Sequence, residues 1–196
     1  MGRTFVCRVI RLARRRYRLY LYRVCRNHCF MVLGVMQGLK ESKTLTVIET
    51  SPEDEKTVCS PWAFAYKQDE EGVIVETKAR RVAQGLIQRE GVDVYQTSAP
   101  TRATASVKIV LAVPNQQEYP VYHFDTAQAF TQAELDCTVY IKLPQGCSSL
   151  SGKIVRMGKC FYGLRQSGLL WNKRLVDKLV MRYGMEQCKT DPCVFR

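Results

Sequence analysis

The chain has 196 residues, 46% of them hydrophobic and 24% charged, with a formal net charge of +12. That length buries a real core, and the balance excludes a disordered, collagen-like or membrane-embedded polypeptide. Nine of the 30 Lys and Arg residues and none of the 18 acids fall in residues 1–35, so the strongly basic character belongs to the N-terminal tail.

Within that tail, arginines at 8, 11, 15 and 18 and apolar residues at 10, 13, 17, 20 and 24 recur near helical spacing and predict an amphipathic helix. Such a helix can lie on anionic lipid, direct a chain to an organelle, bind nucleic acid, or simply stay solvated. The apolar run from Cys29 to Met36 is too short to span a bilayer, so no transmembrane segment is expected. The nine cysteines are odd in number and irregularly spaced, with no secretory signal before them. They read as reduced thiols of an intracellular protein, cytoplasmic or nuclear, and not as a disulfide framework. Cys25, His28 and Cys29 have no second half with which to complete a zinc site.

From about Met36 the texture changes to mixed charge with regular periodicity, and the domain boundary is placed there: residues 1–35 form the extension and 36–196 the domain. Met36 to Glu41 reads as a short helix, Thr44 to Thr50 as a strand, and Ser51 to Lys56 as an acidic loop. Trp62, Phe64 and Tyr66 alternate along one strand, Gln68 to Gly72 turns, and Val73, Val75 and Thr77 alternate along the return. That return leads into Lys78-Ala79-Arg80-Arg81, a cluster suited to phosphate at the tip of a mobile flap, or else a solvated face.

Ser106 to Val113 is predicted as a helix, capped by Ser106 and stopped by Pro114. Tyr119 to Phe124 then alternates as a strand that delivers Asp125 at its end, followed by helical spacing over Ala127 to Leu135. A carboxylate fixed at the end of a core strand is a candidate metal ligand. Val139 to Leu143 and Lys153 to Met157 form a second predicted hairpin. Trp171, Leu175, Leu179 and Tyr183, followed by Gly184, mark a terminal amphipathic helix. The order of elements favours an α+β fold.

Five blocks of this sequence, in order, resemble the copia-type retrotransposon reverse transcriptases. Trp62-Ala63-Phe64 through Lys78 to Gly85 resembles W-x-F, a D-x-x-G turn and K-A-R-L-V-A-x-G. Ser98-Ala99-Pro100 with Ser106-Val107-Lys108 resembles F-A-P…S-x-R, and Phe124-Asp125 through Phe130, with Glu134-Leu135, resembles D-V-K-T-A-F-L-x-G-x-L. Val139 to Gly146 resembles V-Y-M-x-Q-P-x-G. Phe161 to Ser167 with Trp171 and Leu175, then Asp191 to Phe195, resembles L-Y-G-L-K-Q-A…W…L…D-P-C-V-F.

The resemblance implies a partial right-hand polymerase, with fingers from the first hairpin and part of the palm carrying Asp125. It implies RNA-directed DNA polymerisation, with an RNA or DNA template-primer and deoxynucleoside triphosphates as partners and Mg²⁺ as cofactor. Asp125 and the Thr126 carbonyl would then be metal ligands, with Asp125 catalytic. Lys78 and Arg80 would grip the triphosphate, Phe130 would pack under the incoming sugar, and Gln166 would sit near the templating pair. The residues themselves leave Phe130 equally open as core and Gln166 as a surface amide.

In this family two adjacent aspartates of a Y-V-D-D turn complete the site, and no Asp-Asp dipeptide occurs here. Thr126 stands in place of Val, Ala133 in place of Gly, and Leu45 where an aromatic is common. The expectation is an N-terminal fragment of the polymerase, with an exposed sheet edge and apolar surface, that is inactive as an isolated chain. The alternative is a non-catalytic, basic nucleic-acid-binding remnant.

Overall fold

The computed structural model describes residues 35–39, 41, 43–48, 57–145 and 150–196. The predicted tail helix and the Ser51–Lys56 loop lie outside the described residues.

Two sheets carry the fold. The larger has four strands: β1 (Leu45–Val47), β2 (Thr57–Cys59), β5 (Glu134–Lys142) and β6 (Ile154–Lys159), in the order β1-β6-β5-β2. β5 and β6 are the predicted second hairpin, with Val139 opposite Met157 and Ile141 opposite Val155. β1 adds antiparallel to β6, whereas β2 adds parallel to β5. The smaller sheet is the first predicted hairpin, β3 (Trp62–Gln68) with β4 (Ile74–Arg81). Its turn is closed by Asp69, whose amide donates to the Val73 carbonyl at 3.0 Å while its carboxylate accepts the Val73 amide at 2.7 Å. Gly72 supplies the positive φ of 77° that this turn requires. The mixed composition of helices and sheets agrees with the α+β expectation.

Period-two alternation places Val139, Ile141, Val155 and Met157 on one buried face, with Ile141 and Val155 at 0% exposure. Against that face pack Leu143, Leu150, Phe161 and Leu164, together with Met36 and Leu39 from the helical turn at residues 35–39. The expected short helix and the strand from Thr44 are thus both present, the latter reduced to Leu45–Val47 among the described residues.

The predicted helix is longer than the sequence signals suggested: α1 runs Thr104–Gln116, and its cap position is Ala103, not Ser106. Pro114 lies inside it. Proline removes only its own donor, so Gln117 N–H still reaches the Val113 carbonyl at 3.1 Å and the helix outlasts the expected stop. The missing local cap is supplied from a distance by Asp191, whose carboxylate accepts the Ala103 amide at 3.0 Å and the Cys193 amide at 2.9 Å.

Two expectations around the central carboxylate fail. Residues 119–126 form no strand, and 119–125 are exposed, with Tyr122 at 82% and Phe124 at 84%. Alternation alone does not make a strand, because ladder bonds need a neighbouring edge. Pro120 also removes one donor. Ala127 to Leu135 is not a helix: a 3₁₀ turn spans Ala129–Gln132 and β5 begins at Glu134. Gln128 enters that turn in the left-handed region at φ 49°, which breaks any α-helical continuation.

The terminal helix matches its pattern. α2 (Ser167–Asp177) continues as a π-type segment, Lys178–Arg182, and closes at Gly184 with φ 66°, whose amide donates to the Val180 carbonyl at 3.0 Å. No helix among the described residues is long and apolar enough to cross a membrane.

Where the chain crosses itself, residues 83–85 run against residues 162–165. The Ala83 amide donates to the Tyr162 carbonyl at 2.7 Å. A Cβ on Gly163, which sits at φ 90°, would strike the Ala83 carbonyl oxygen, and one on Gly85 would strike the Gly163 carbonyl oxygen. By contrast a Cβ on Gly72 meets nothing within 4 Å. Gly163→Ala is therefore expected to cost more than the ~1–3 kcal/mol of backbone strain alone, and Gly72→Ala no more than that strain. Urea denaturation of the two variants beside the wild type measures the difference, and equal losses would refute the crossing as a steric constraint.

Candidate functional site

β4 is the strand on which the hairpin presents its cations. Arg81 faces Trp62, Arg80 faces Ala63 and Lys78 faces Ala65, so the cluster sits at the root of the hairpin. This corrects the expectation of a basic tip, which is instead formed by Asp69, Glu70 and Glu71. Strand alternation puts Lys78 and Arg80 on one face and Arg81 on the other. Arg80 is exposed. Lys78 is half-buried, and its ammonium lies 3.4 Å from the Glu76 carboxylate. Arg81 is buried, its guanidinium 5.8 Å from the Trp62 ring centroid, 5.5 Å from that of Phe161 and 3.4 Å from the Met36 sulfur. It fastens the root of the hairpin to the core, and its place at the end of a basic run gave no sign of that.

Asp125 is exposed and, among the described residues, makes no hydrogen bond or ion pair. Thr126 beside it is half-buried. Among the described residues no hydrogen bond or ion pair joins either residue to Lys78 or Arg80. Five residues past the acid, Phe130 is half-buried and meets Tyr162 edge to face, with centroids 4.9 Å apart and planes at 70°.

Magnesium needs several oxygen ligands in near-octahedral array, and two-cation chemistry needs at least two carboxylates. Among the described residues no three His, Cys, Asp or Glu side chains come together as a metal site. Asp125 with the Thr126 carbonyl therefore does not by itself fit the ion.

Gln166 is not a surface amide: it is fully buried. Its Nε2 donates to the Asp93 carbonyl at 3.2 Å and lies 3.4 Å from the Cys137 sulfur, while its Oε1 accepts from Gln88 Nε2 at 3.0 Å. Gln88 in turn accepts the Arg165 amide at 3.0 Å. The two amides thus lock the loop at residues 85–94 onto the turn before α2. Gln88 lies 78 residues away from Gln166 in the chain, and no local pattern marks it. Burial pushes the Cys137 thiol up to about 11, with the Asp136 charge adding to it, and burial pushes Cys160 up to about 12.

The surface around Asp125 is apolar. α1 buries none of its residues and exposes Ile109, Val110, Leu111 and Val113, and Tyr119, Val121, Tyr122 and Phe124 are exposed after it. This agrees with the exposed apolar surface expected from the sequence.

The sequence profile of the family described as Reverse transcriptase (RNA-dependent DNA polymerase) matches residues 42–196. The chain is 30% identical over 154 residues to the Retrovirus-related Pol polyprotein from transposon RE1 of Arabidopsis thaliana, covering 78% of this chain and 10% of that protein. It is 25% identical over 162 residues to the Retrovirus-related Pol polyprotein from transposon TNT 1-94 of Nicotiana tabacum, covering 82% and 12%. Against the Transposon Ty1-LR3 Gag-Pol polyprotein of Saccharomyces cerevisiae it is 30% identical over 121 residues, covering 61% and 7%. The chain spans about a tenth of the length of these relatives. No solved structure matches it.

Replacing Gln88 by Leu strips the buried Gln166 Oε1 and the Arg165 amide of their partner, and replacing Gln166 by Leu removes one of the two acceptors of Gln88 Nε2, at an expected cost of ~1–3 kcal/mol each. The double variant is expected to lose less than the sum, because the bond between the two amides is lost in each single variant but only once in the double, and a double-mutant cycle by denaturation reads this directly. The raised thiols carry a pH consequence. Both stay protonated in the folded chain at pH values where the unfolded chain has ionised, so stability is full below the ordinary thiol value of 9.0. It is expected to fall as pH rises from there through about 11 and 12, and Cys160→Ala is expected to flatten the upper part of that fall in a pH series of melting temperatures.

Proposed function

Because this chain belongs to the reverse transcriptase (RNA-dependent DNA polymerase) family, of the copia type found in retrotransposon Pol polyproteins, we propose that it supplies the fingers and first palm elements of an RNA-directed DNA polymerase. The observation that carries this reading is the set of five sequence blocks, in family order, falling within the matched residues 42–196.

In this reading β3 and β4 are the fingers hairpin, and Lys78 and Arg80, on one face of β4, pair with the triphosphate of the incoming nucleotide. Phe130, held edge-on by Tyr162, lies under the sugar and excludes a 2′-hydroxyl. Gln166 acts as a positioning residue: its bond to Gln88 fixes the turn before α2 against the loop that follows the hairpin. Asp125 is one carboxylate of the catalytic set, and Thr126 offers its carbonyl beside it. The remaining carboxylates come from elsewhere in the longer polypeptide. The exposed segment 119–125 and the apolar face of α1 are the surfaces those elements would cover. With one carboxylate, the isolated chain does not catalyse nucleotide transfer.

The tail favours a second reading, a non-catalytic nucleic-acid binder, because nine arginines within residues 1–35 supply phosphate contacts without any catalytic group.

Primer extension on a poly(A)/oligo(dT) template with magnesium tests the first reading. The isolated chain is expected to give no incorporation, and the longer polypeptide to give incorporation that Asp125→Asn abolishes. Clear incorporation by the isolated chain overturns the incompleteness, and an active Asp125→Asn polypeptide overturns the role of Asp125. In the same polypeptide Lys78→Ala and Arg80→Ala are expected to raise the KM for the nucleotide about tenfold to a hundredfold, the worth of a charge-assisted hydrogen bond. For the second reading, removing residues 1–35 is expected to lower the salt dependence of binding to single-stranded nucleic acid, and an unchanged slope refutes it.

A further inference from the structure

An open cleft of about 460 Å³ lies just beyond Asp125 in the chain, between the 3₁₀ turn Ala129–Gln132, the end of β6 and the last turns of α2 with its π-type continuation. Its charged lining is Lys159, Arg174 and Lys178, with no carboxylate. Arg174 and Lys178 stand four residues apart and so project from one helix face, and Lys159 closes the cleft from the strand end.

Three arginines elsewhere on the surface are matched by carboxylates: Arg89 with Asp93 at 3.0 Å, Arg165 with Glu90 at 3.6 Å, and Arg196 with Glu186 at 2.6 Å. Among the described residues none of the three cleft cations has a carboxylate within 4 Å. Three converging like charges repel one another, and a bound anion removes that repulsion.

The wall opposite them is built to keep its shape. Thr131 is buried, and its hydroxyl donates to the Gln128 carbonyl at 2.9 Å, while Gln132 Nε2 donates to the Ala127 carbonyl at 3.1 Å.

We propose that this cleft binds phosphate oxygens of a polynucleotide backbone, at a site separate from the nucleotide-gripping residues Lys78 and Arg80. The cleft is open, which lets a chain run through it, and three cations at its wall match successive phosphates and not a single enclosed anion. A free polyphosphate carries the same chemistry, and the experiment separates the two sources.

The full chain is titrated with fluorescein-labelled dT20 over a salt series by fluorescence anisotropy. The variant Lys159→Gln/Arg174→Gln/Lys178→Gln is expected to lower the slope of log affinity against log salt by about 2, since each phosphate contact on a single strand contributes roughly 0.7. Lys142→Gln/Arg156→Gln/Lys189→Gln removes the same charge from exposed positions outside the cleft and is expected to leave the slope unchanged. Equal losses in both variants, or no loss in the first, overturn the proposal, because the tail and general field would then account for binding. If the triple variant does not fold by circular dichroism, Arg174→Gln alone is expected to lower the slope by about 0.7 and Arg174→Lys to retain it. Sodium tripolyphosphate is titrated by calorimetry in parallel. Its binding to the wild type but not to the triple variant, with an unchanged dT20 slope, assigns the cleft to free polyphosphate and overturns the polynucleotide proposal. The readout is binding without incorporation, so it fails or succeeds apart from the polymerase reading.

Discussion

The structure depends on a backbone crossing that tolerates no side chain. A Cβ on Gly85 would collide with the Gly163 carbonyl and one on Gly163 with the Ala83 carbonyl, and the Ala83 amide reaches the Tyr162 carbonyl across the same point. One strand of this crossing leaves the root of the β3–β4 hairpin, and the other leads from the end of β6 into α2. The buried pair Gln88 and Gln166 bolts the crossing from one side, while Arg81, between Trp62 and Phe161, packs the hairpin root beside it. Without the close approach the hairpin has little else to hold it, since its outer residues from Ala63 through Val73 are exposed.

The parts of the fold legible in the sequence are those whose information is local. Both hairpins, the terminal helix and the short helix before β1 were visible because alternation or four-residue spacing, a turn glycine and a stop lie within a few residues of one another. Pro114 misled because a proline abolishes one donor and not the helix that already surrounds it. The cap of α1 was invisible because its acceptor, Asp191, lies 88 residues downstream of Ala103. The Tyr119–Phe124 strand was read from alternation that the chain cannot turn into a ladder by itself. β2 carries too short a run, Thr57-Val58-Cys59, to announce a strand that exists only through parallel pairing with β5.

The candidate site divides along the same line. Lys78, Arg80, Phe130 and Asp125 were legible by type and motif, yet their arrangement depends on surfaces that pair over long range, and the described residues leave Asp125 on an exposed, irregular segment. Gln166 was legible as a motif residue but its burial was not, because burial follows from packing against a loop remote in sequence. Arg174 and Lys178 are neighbours by helical spacing, and only the fold brings Lys159, from the end of β6, beside them.

The long span of the Gln88–Gln166 bond also orders events in time. Joining residues 78 apart requires the intervening chain to surrender its freedom before the contact repays anything, so local hairpins form early and the crossing closes late. Everything between the two glutamines, including α1 and the segment bearing Asp125, is looped out until that closure. Closure does not cover them: α1 and Asp125 stay exposed in the folded chain, so a chaperone or a neighbouring copy has access to the most apolar helix and the central acid both before and after the turn ahead of α2 is made.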